Sequence, residues 1–380
     1  MKNTRIQILL SVVSLGLAGS LIVFLPQVVG ALTDKEVSWA QIGAEFAQMS
    51  PLMVGLMTVA WMASLGAYTV VLTRSLPGLT HLQALTLNAG SSAASNLLPF
   101  GGALGVALTF AMTKGWGFPF RAVVVSTLTT GVWNNLFRFI LPAVGIVSLL
   151  LAGRVPDQRI AQAGWVGALS ILALVAVAAA ALYWDRAAAV LGRGLDGVVR
   201  LAPHRIRPRE HAASEALTRL RTDIAAIVRR RWAGLSLGMI AFLGFQWLIM
   251  LCCMHATGAY PGLAESIAVF ALSRVLTTAL VTPSGAGIME LGVLALLNAF
   301  GVPLPAATAA ALLFGFWTYT IEIPVGGLAL GAWALLRRRN GGADRQAGRK
   351  VEEAAHIEAR GEVHSEVHGE VHGDGAAARE

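Results

Sequence analysis

Between Pro51 and Thr73 the chain places twenty-three residues without one charged side chain, and apolar runs of comparable length recur over 6–32, 118–137, 164–184, 233–256 and 303–336. About 20 helical residues cross a hydrocarbon core of about 30 Å, so each such run is long enough to be a membrane helix. With 56% hydrophobic and only 13% charged residues, and a mean hydropathy of +0.65, the chain is too apolar for an ordinary soluble domain. The expectation is an all-α, polytopic membrane helix bundle.

The charges set its orientation. Residues 341–380 carry nine acids and five bases, so the excess of base lies in the first 340 residues. Eleven arginines fall between Arg186 and Arg231, among only five acids counting Asp185. Basic connections are retained on the cytoplasmic side, which makes 185–232 a basic cytoplasmic loop that meets anionic lipid headgroups. A pI near 10.2 is otherwise a statement about fields, and no nucleic-acid partner is expected of a basic block between spans. "RRR" at Arg337–Arg339 marks a second cytoplasmic stop, and Lys2 and Arg5 precede the first span. That span, 6–32, is too long for a signal-peptide core and is expected to be retained. Both termini are then cytoplasmic, the number of crossings is even, and about eight fits. Trp39, Ile42 and Phe46 recur at helical spacing in an amphipathic segment expected on the outer surface.

Two spans are interrupted. "LLPFGGALGVAL" around Pro99 and "VTPSGAGIMELG" around Pro283 each combine an apolar approach, a proline and glycines, 184 residues apart. Proline removes a backbone donor and glycine permits a sharp turn. Such backbone persists at membrane depth only where protein or a water-filled cavity surrounds it. Paired interruptions in corresponding halves point to an internal pseudo-repeat whose re-entrant or broken helices meet at a site; ordinary inter-helix turns are the plainer reading. The stretch 79–113, with "GSSAASN", is a broken helix or a re-entrant pair.

Few charges lie within the apolar segments: Arg138, Arg274, Glu290 and Glu322, with Glu265 at an edge. An ionisable group at bilayer depth costs about 2.5–3.5 kcal/mol on insertion scales and therefore faces an interior cavity or a partner. Arg274 and Glu290 flank the second break, where a hairpin would let them pair; left open, Arg274 suits a phosphate. Glu290 also falls at the third helical position after Gly287, where a glutamate caps free backbone donors. A helix start there would equally suit an anionic headgroup. Arg138 lines a cavity or snorkels, Glu322 is a site carboxylate or a turn residue, and Asn96 is a lining or capping residue.

No metalloprotease His pair, lysine-bearing phosphate loop, nucleophile elbow or Cys-x-x-Cys pair occurs, so neither cofactor, metal nor enzymatic activity is expected. Cys252 and Cys253 read as small apolar residues. Residues 341–380, with "EVHSEVHGEVH", read as a disordered acidic, histidine-containing tail following a 1–340 membrane domain.

"NLLPFGG" (Asn96 to Gly102), the lone arginine of "ALSRVLTT" (Ala271 to Thr278) and "TPSGAGIMELG" (Thr282 to Gly292) resemble the lysylphosphatidylglycerol synthase transmembrane region, or flippase-like, family. The resemblance implies a multi-span helical bundle associated with moving lipids or lipid-linked groups between leaflets. Pro283, Gly285, Gly287, Glu290 and Arg274 match the family's second motif. No acid or arginine follows the first motif before Lys114, which departs from the pattern. A 40-residue tail is also too short for the soluble aminoacyl-transferase domain of full synthases, so lysyl-lipid synthesis by this chain alone is not expected. The reading is a lipid translocator of the bacterial inner membrane, whose partner is a membrane phospholipid or lipid-linked substrate. Its headgroup would meet Asn96, Pro99, Gly101, Gly102, Arg138, Arg274, Pro283, Ser284, Gly285, Gly287, Glu290 and Glu322. The alternatives are a membrane enzyme or accessory subunit acting on lipid- or polyprenol-linked sugars, and a membrane scaffold.

Overall fold

The computed structural model describes residues 38–97, 101–154, 158–183, 212–277 and 287–336, together with Gln27, and among these every regular element is helical. Ten α-helices follow one another: α1 (Trp39–Ala47), α2 (Pro51–Ser75), α3 (His81–Leu97), α4 (Gly101–Gly115), α5 (Phe120–Leu151), α6 (Gln158–Tyr183), α7 (Ala212–Ala256), α8 (Leu263–Leu276), α9 (Ile288–Ala299) and α10 (Leu304–Gly315). A π-helical turn, Phe316–Thr320, follows α10, and the helix resumes over 322–336. One compact unit covers Met1–Gly327; of the second, Leu328–Glu380, only 328–336 is described. The expected first span, 6–32, apart from Gln27, and the tail lie outside the described residues.

Among the described residues four helices are long and apolar enough to cross a membrane: Pro51–Ser75, Phe120–Leu151, Thr222–Ala256 and Leu304–Leu336. Local chemistry starts them. Ser50 accepts the Met53 N–H ahead of Pro51, whose fixed φ suits a first helical position. Ser38 and Gln41 form a reciprocal capping box at α1. Its Ile42 is fully buried against the core shared with α10, while Trp39 stays exposed, so α1 is amphipathic and docked. The polar "NNLFR" does not divide 118–137 from 139–151: one 32-residue helix, α5, runs through it. Residues 185–211 lie outside the described residues, but from Ala212 the basic segment is helix rather than loop. No proline or glycine interrupts 212–233, so nothing there opposes continuing into the span.

Packing fixes the direction of each helix. Along α2 and α7, Met57 meets Cys253 with 3.6 Å between sulfurs, Val71 packs on Gly238, and Arg74 packs on Gly234, an antiparallel pair. Small residues allow this approach, since a Cβ on Gly238 would stand 2.9 Å from Val71 Cγ2. Arg121 bridges to Asp223 at 2.7 Å and Trp133 donates to Ser236, so α5 and α7 run parallel. Arg74, Arg121 and the arginines before Gly234 therefore share one end of the bundle. At the other end, Ser148 donates to the Ala264 carbonyl and Arg154 bridges to Glu265 at 2.6 Å, which makes α8 antiparallel to α5.

The interrupted segments become two helical hairpins. Ser91 hydrogen-bonds Thr109, and Ser95 lies against Gly105, so α3 and α4 run antiparallel. Both begin or end at the arginine-rich end, between α2 and α5. At 17 and 15 residues they are about 25 and 22 Å long, short of a full crossing. Helices α8 and α9, of 14 and 12 residues, enter from the opposite end: α8 starts beside the end of α5, and α9 leads into α10 where α10 meets α1. The 79–113 stretch is thus a re-entrant pair, and a second pair faces it from the other side.

Candidate functional site

Six elements converge on a cavity of about 160 Å³ at the depth where the hairpins end. Tyr68 comes from α2, Asn88 and Ser92 from α3, Asn134 and Arg138 from α5, Gln246 from α7, Arg274 from α8, and Glu322 from the helix after the π-turn. Spacing explains the lining. Asn88, Ser92 and Asn96 recur every four residues on one face of α3, and Asn134 and Arg138 do so on α5. Pro142 lies one turn beyond Arg138 and has no N–H to give that residue's carbonyl. Pro324 stands in the same relation to Thr320, at the end of the π-turn, and the widened turn lies immediately before Glu322.

Arg274 is a buried charge on this lining. It is 7% exposed, in the last turn of α8, between the rings of Phe270 and Phe314 at 5.4 and 5.3 Å from its guanidinium carbon. Nη1 donates to Gln246 Oε1 at 2.7 Å, while Nε and Nη2 are buried with no protein partner. Glu322 is held separately: Asn96 Nδ2 donates to its Oε2 at 2.9 Å, and Ser92 also hydrogen-bonds it. Two guanidinium groups thus line a space with one carboxylate, and even an ionised Glu322 leaves an excess of positive charge.

Glu290 is elsewhere. At 2% exposure it accepts the Gly287 N–H on Oε2 at 2.6 Å and the Tyr319 hydroxyl on Oε1 at 2.9 Å. Gly287 has φ 85°, a left-handed conformation that favours glycine, and it opens α9. Gly315 permits the close approach of α10, because a Cβ there would collide with the Glu290 carboxylate. The expected Arg274–Glu290 pair does not form. Gly287 and Glu290 cap a helix rather than line the cavity, since the cap and Tyr319 use both carboxylate oxygens.

Of the residues expected at a site, Arg138, Arg274 and Glu322 meet in the cavity, and Asn96 supports Glu322. Gly101 and Gly102 begin α4, with Gly102 exposed and open space around it. Pro99, Pro283, Ser284 and Gly285 lie outside the described residues. Sequence reasoning missed Tyr68, Asn88, Asn134 and Gln246. The four-residue polar periodicity of α3 and α5 was the available signal for the two asparagines. Among the described residues no cluster of three or more histidine, cysteine or acidic side chains is placed to hold a metal.

A scan against protein-family models matches residues 10–326 to the Lysylphosphatidylglycerol synthase TM region. A search of curated proteins finds no match.

Proposed function

The chain belongs to the lysylphosphatidylglycerol synthase transmembrane-region family, and from that premise we propose that it is a lipid translocator of the bacterial inner membrane, with both termini cytoplasmic. The observation that carries the reading is Arg274: a guanidinium buried at membrane depth, with two nitrogens open, in a cavity of excess positive charge. Placing such a group in a bilayer is costly, and a ligand that brings negative charge offsets that cost. A headgroup phosphate supplies the charge and the oxygen geometry that a guanidinium fork accepts.

In this reading the phosphate exchanges its water shell for Arg274, Arg138 and the neighbouring amides, while the acyl chains stay in lipid. The barrier to crossing falls because the charged group never enters hydrocarbon unpartnered. Hairpins entering from opposite ends are the arrangement expected of a site reachable from each leaflet. The gathering of Arg74, Arg121 and Arg229–Arg231 toward one end supports the inside assignment of that end. The matched region is also the non-catalytic, membrane portion of the synthases, which favours transport over chemistry.

The test is purified protein in liposomes with tail-labelled fluorescent lipids and an impermeant quencher. Quenching should rise above the outer-leaflet pool, and Arg274→Gln should slow the rise about tenfold or more, the equivalent of one charged hydrogen bond. Quenching no greater than in protein-free liposomes, across headgroups of each charge, would sink the reading.

A further inference from the structure

Between Gly234 and Met254, α7 carries a single amide or charged side chain, Gln246. A polar group at membrane depth is kept where it has a partner, and here the partner is Arg274, whose Nη1 donates to Gln246 Oε1 at 2.7 Å. Arginine has donors only, so the glutamine must turn its oxygen to Nη1, and its NH2 group remains a donor on the cavity lining. The contact is not what docks α8. Trp247 donates to Ser266 Oγ at 3.3 Å, Ser148 donates to the Ala264 carbonyl, and a Cβ on Gly145 would stand 3.0 Å from the Ala271 Cβ, so α5 and α7 hold α8 without Gln246.

What Gln246 holds is the guanidinium itself. Phe270 and Phe314 flank it, and Nη1 is taken, which leaves Nε and Nη2. Those two N–H groups point the same way along one edge of the planar group, the edge that takes two oxygens of one oxyanion. The acceptor on Nη1 also decides the charge. A carboxylate there would hold Arg274 more strongly than an amide does. With Glu322 it would set two carboxylates against Arg138 and Arg274, and the positive excess of the cavity would be gone. It would also replace the NH2 donor with an oxygen that repels an anion. The amide orients Arg274 without cancelling it.

We infer that Gln246 is the residue that sets charge selectivity: it fixes Arg274 with one edge open to the cavity and, being neutral, keeps the positive excess that admits an anionic headgroup ahead of a zwitterionic one. It is a positioning residue, acting through Arg274. This rests on the translocator reading and adds to it the side chain that governs its selectivity.

Proteoliposomes of the full chain would be assayed with tail-labelled phosphatidylmethanol, whose headgroup carries one negative charge, and phosphatidylcholine, which has no net charge. The parent should move phosphatidylmethanol about tenfold faster, the equivalent of one charged hydrogen bond. Gln246→Glu should unfold at a temperature no lower than the parent, because it exchanges an amide contact for an ion pair, yet bring the ratio of the two rates toward one. Loss of stability alone would not move that ratio. Gln246→Met, of nearly the same length, removes the acceptor without adding charge and should slow phosphatidylmethanol about fivefold, the equivalent of one hydrogen bond. If the Glu variant does not fold, the Met variant decides alone. A folded Gln246→Glu with the parent's ratio, a Gln246→Met as fast as the parent, or a parent that moves both lipids equally would each overturn the inference and leave the translocator intact. No transfer of either lipid by the parent would remove both readings together.

Discussion

Glu290 separates a structural carboxylate from a transporting one. Its two oxygens take two buried donors, the Gly287 N–H at 2.6 Å and the Tyr319 hydroxyl at 2.9 Å. A glutamine in the same rotamer keeps its carbonyl oxygen on Gly287 and turns its amide toward the Tyr319 oxygen, which then accepts. Glu290→Gln therefore keeps both contacts but leaves the Tyr319 hydroxyl proton without its acceptor, and should cost about 1–3 kcal/mol. Glu290→Leu strands both donors at about 1–3 kcal/mol each, a loss of about 2–6 kcal/mol. Tyr319→Phe removes one donor together with its partner bond and should fall between the two; in the Glu290→Leu background it removes an already stranded hydroxyl and should recover part of the loss. Thermal unfolding of purified protein in detergent gives the order of stabilities, and lipid transfer well below the unfolding temperature gives the function. Transfer should stay within about twofold of the parent for Glu290→Gln, because neither oxygen faces the cavity. A Gln variant as stable as the parent but at least tenfold slower would refute the cap and return Glu290 to the transport path.

Gly315→Ala attacks the same contact from α10, since the added methyl would collide with the Glu290 carboxylate; a destabilisation of about 1–3 kcal/mol is expected in the same unfolding assay, partly relieved in a Glu290→Ala background. The directions of the hairpins can be read by impermeant maleimide labelling of single cysteines in a Cys252→Ala, Cys253→Ala background. Trp116→Cys and Gly78→Cys should label from the cytoplasmic side and Gly258→Cys and Gly301→Cys from the other; labelling of all four from one side would refute the opposed hairpins.

The hydrophobic runs announced the membrane and the approximate positions of the long helices, because spanning length and apolarity are properties of the chain alone. The paired Pro-Gly interruptions likewise announced short helices at the places where both hairpins occur. What could not be read was which charge would face the cavity. Arg274 and Glu290 flank one break and look like partners by spacing, yet Glu290 is drawn off by Tyr319, 29 residues further on, and Arg274 by Gln246, 28 residues before. Those choices depend on α7 and the π-turn, whose approach no local pattern encodes. Similarly, "WNN" before Arg138 gives that residue the look of a membrane boundary, but α5 continues for another 13 residues to Leu151.

Helix ends explain how two arginines are tolerated so close together. Arg274 occupies the last turn of α8, and Asn96 lies in the last turn of α3, so the carbonyl ends of both inward-running helices approach the cavity. Such ends carry partial negative charge, which favours a cation without forming a direct salt bridge to it. The amino end of α9 would otherwise be an anion site of its own, but Glu290 already fills it. One hairpin thus neutralises its own positive end with a fixed acid and presents its negative end through an arginine whose Nε and Nη2 remain open. In the proposed reading, an incoming phosphate is then drawn to the cavity at Arg274 rather than to the start of α9. Removing the Glu290 acid should open a second, competing anion site at Gly287 without improving the first.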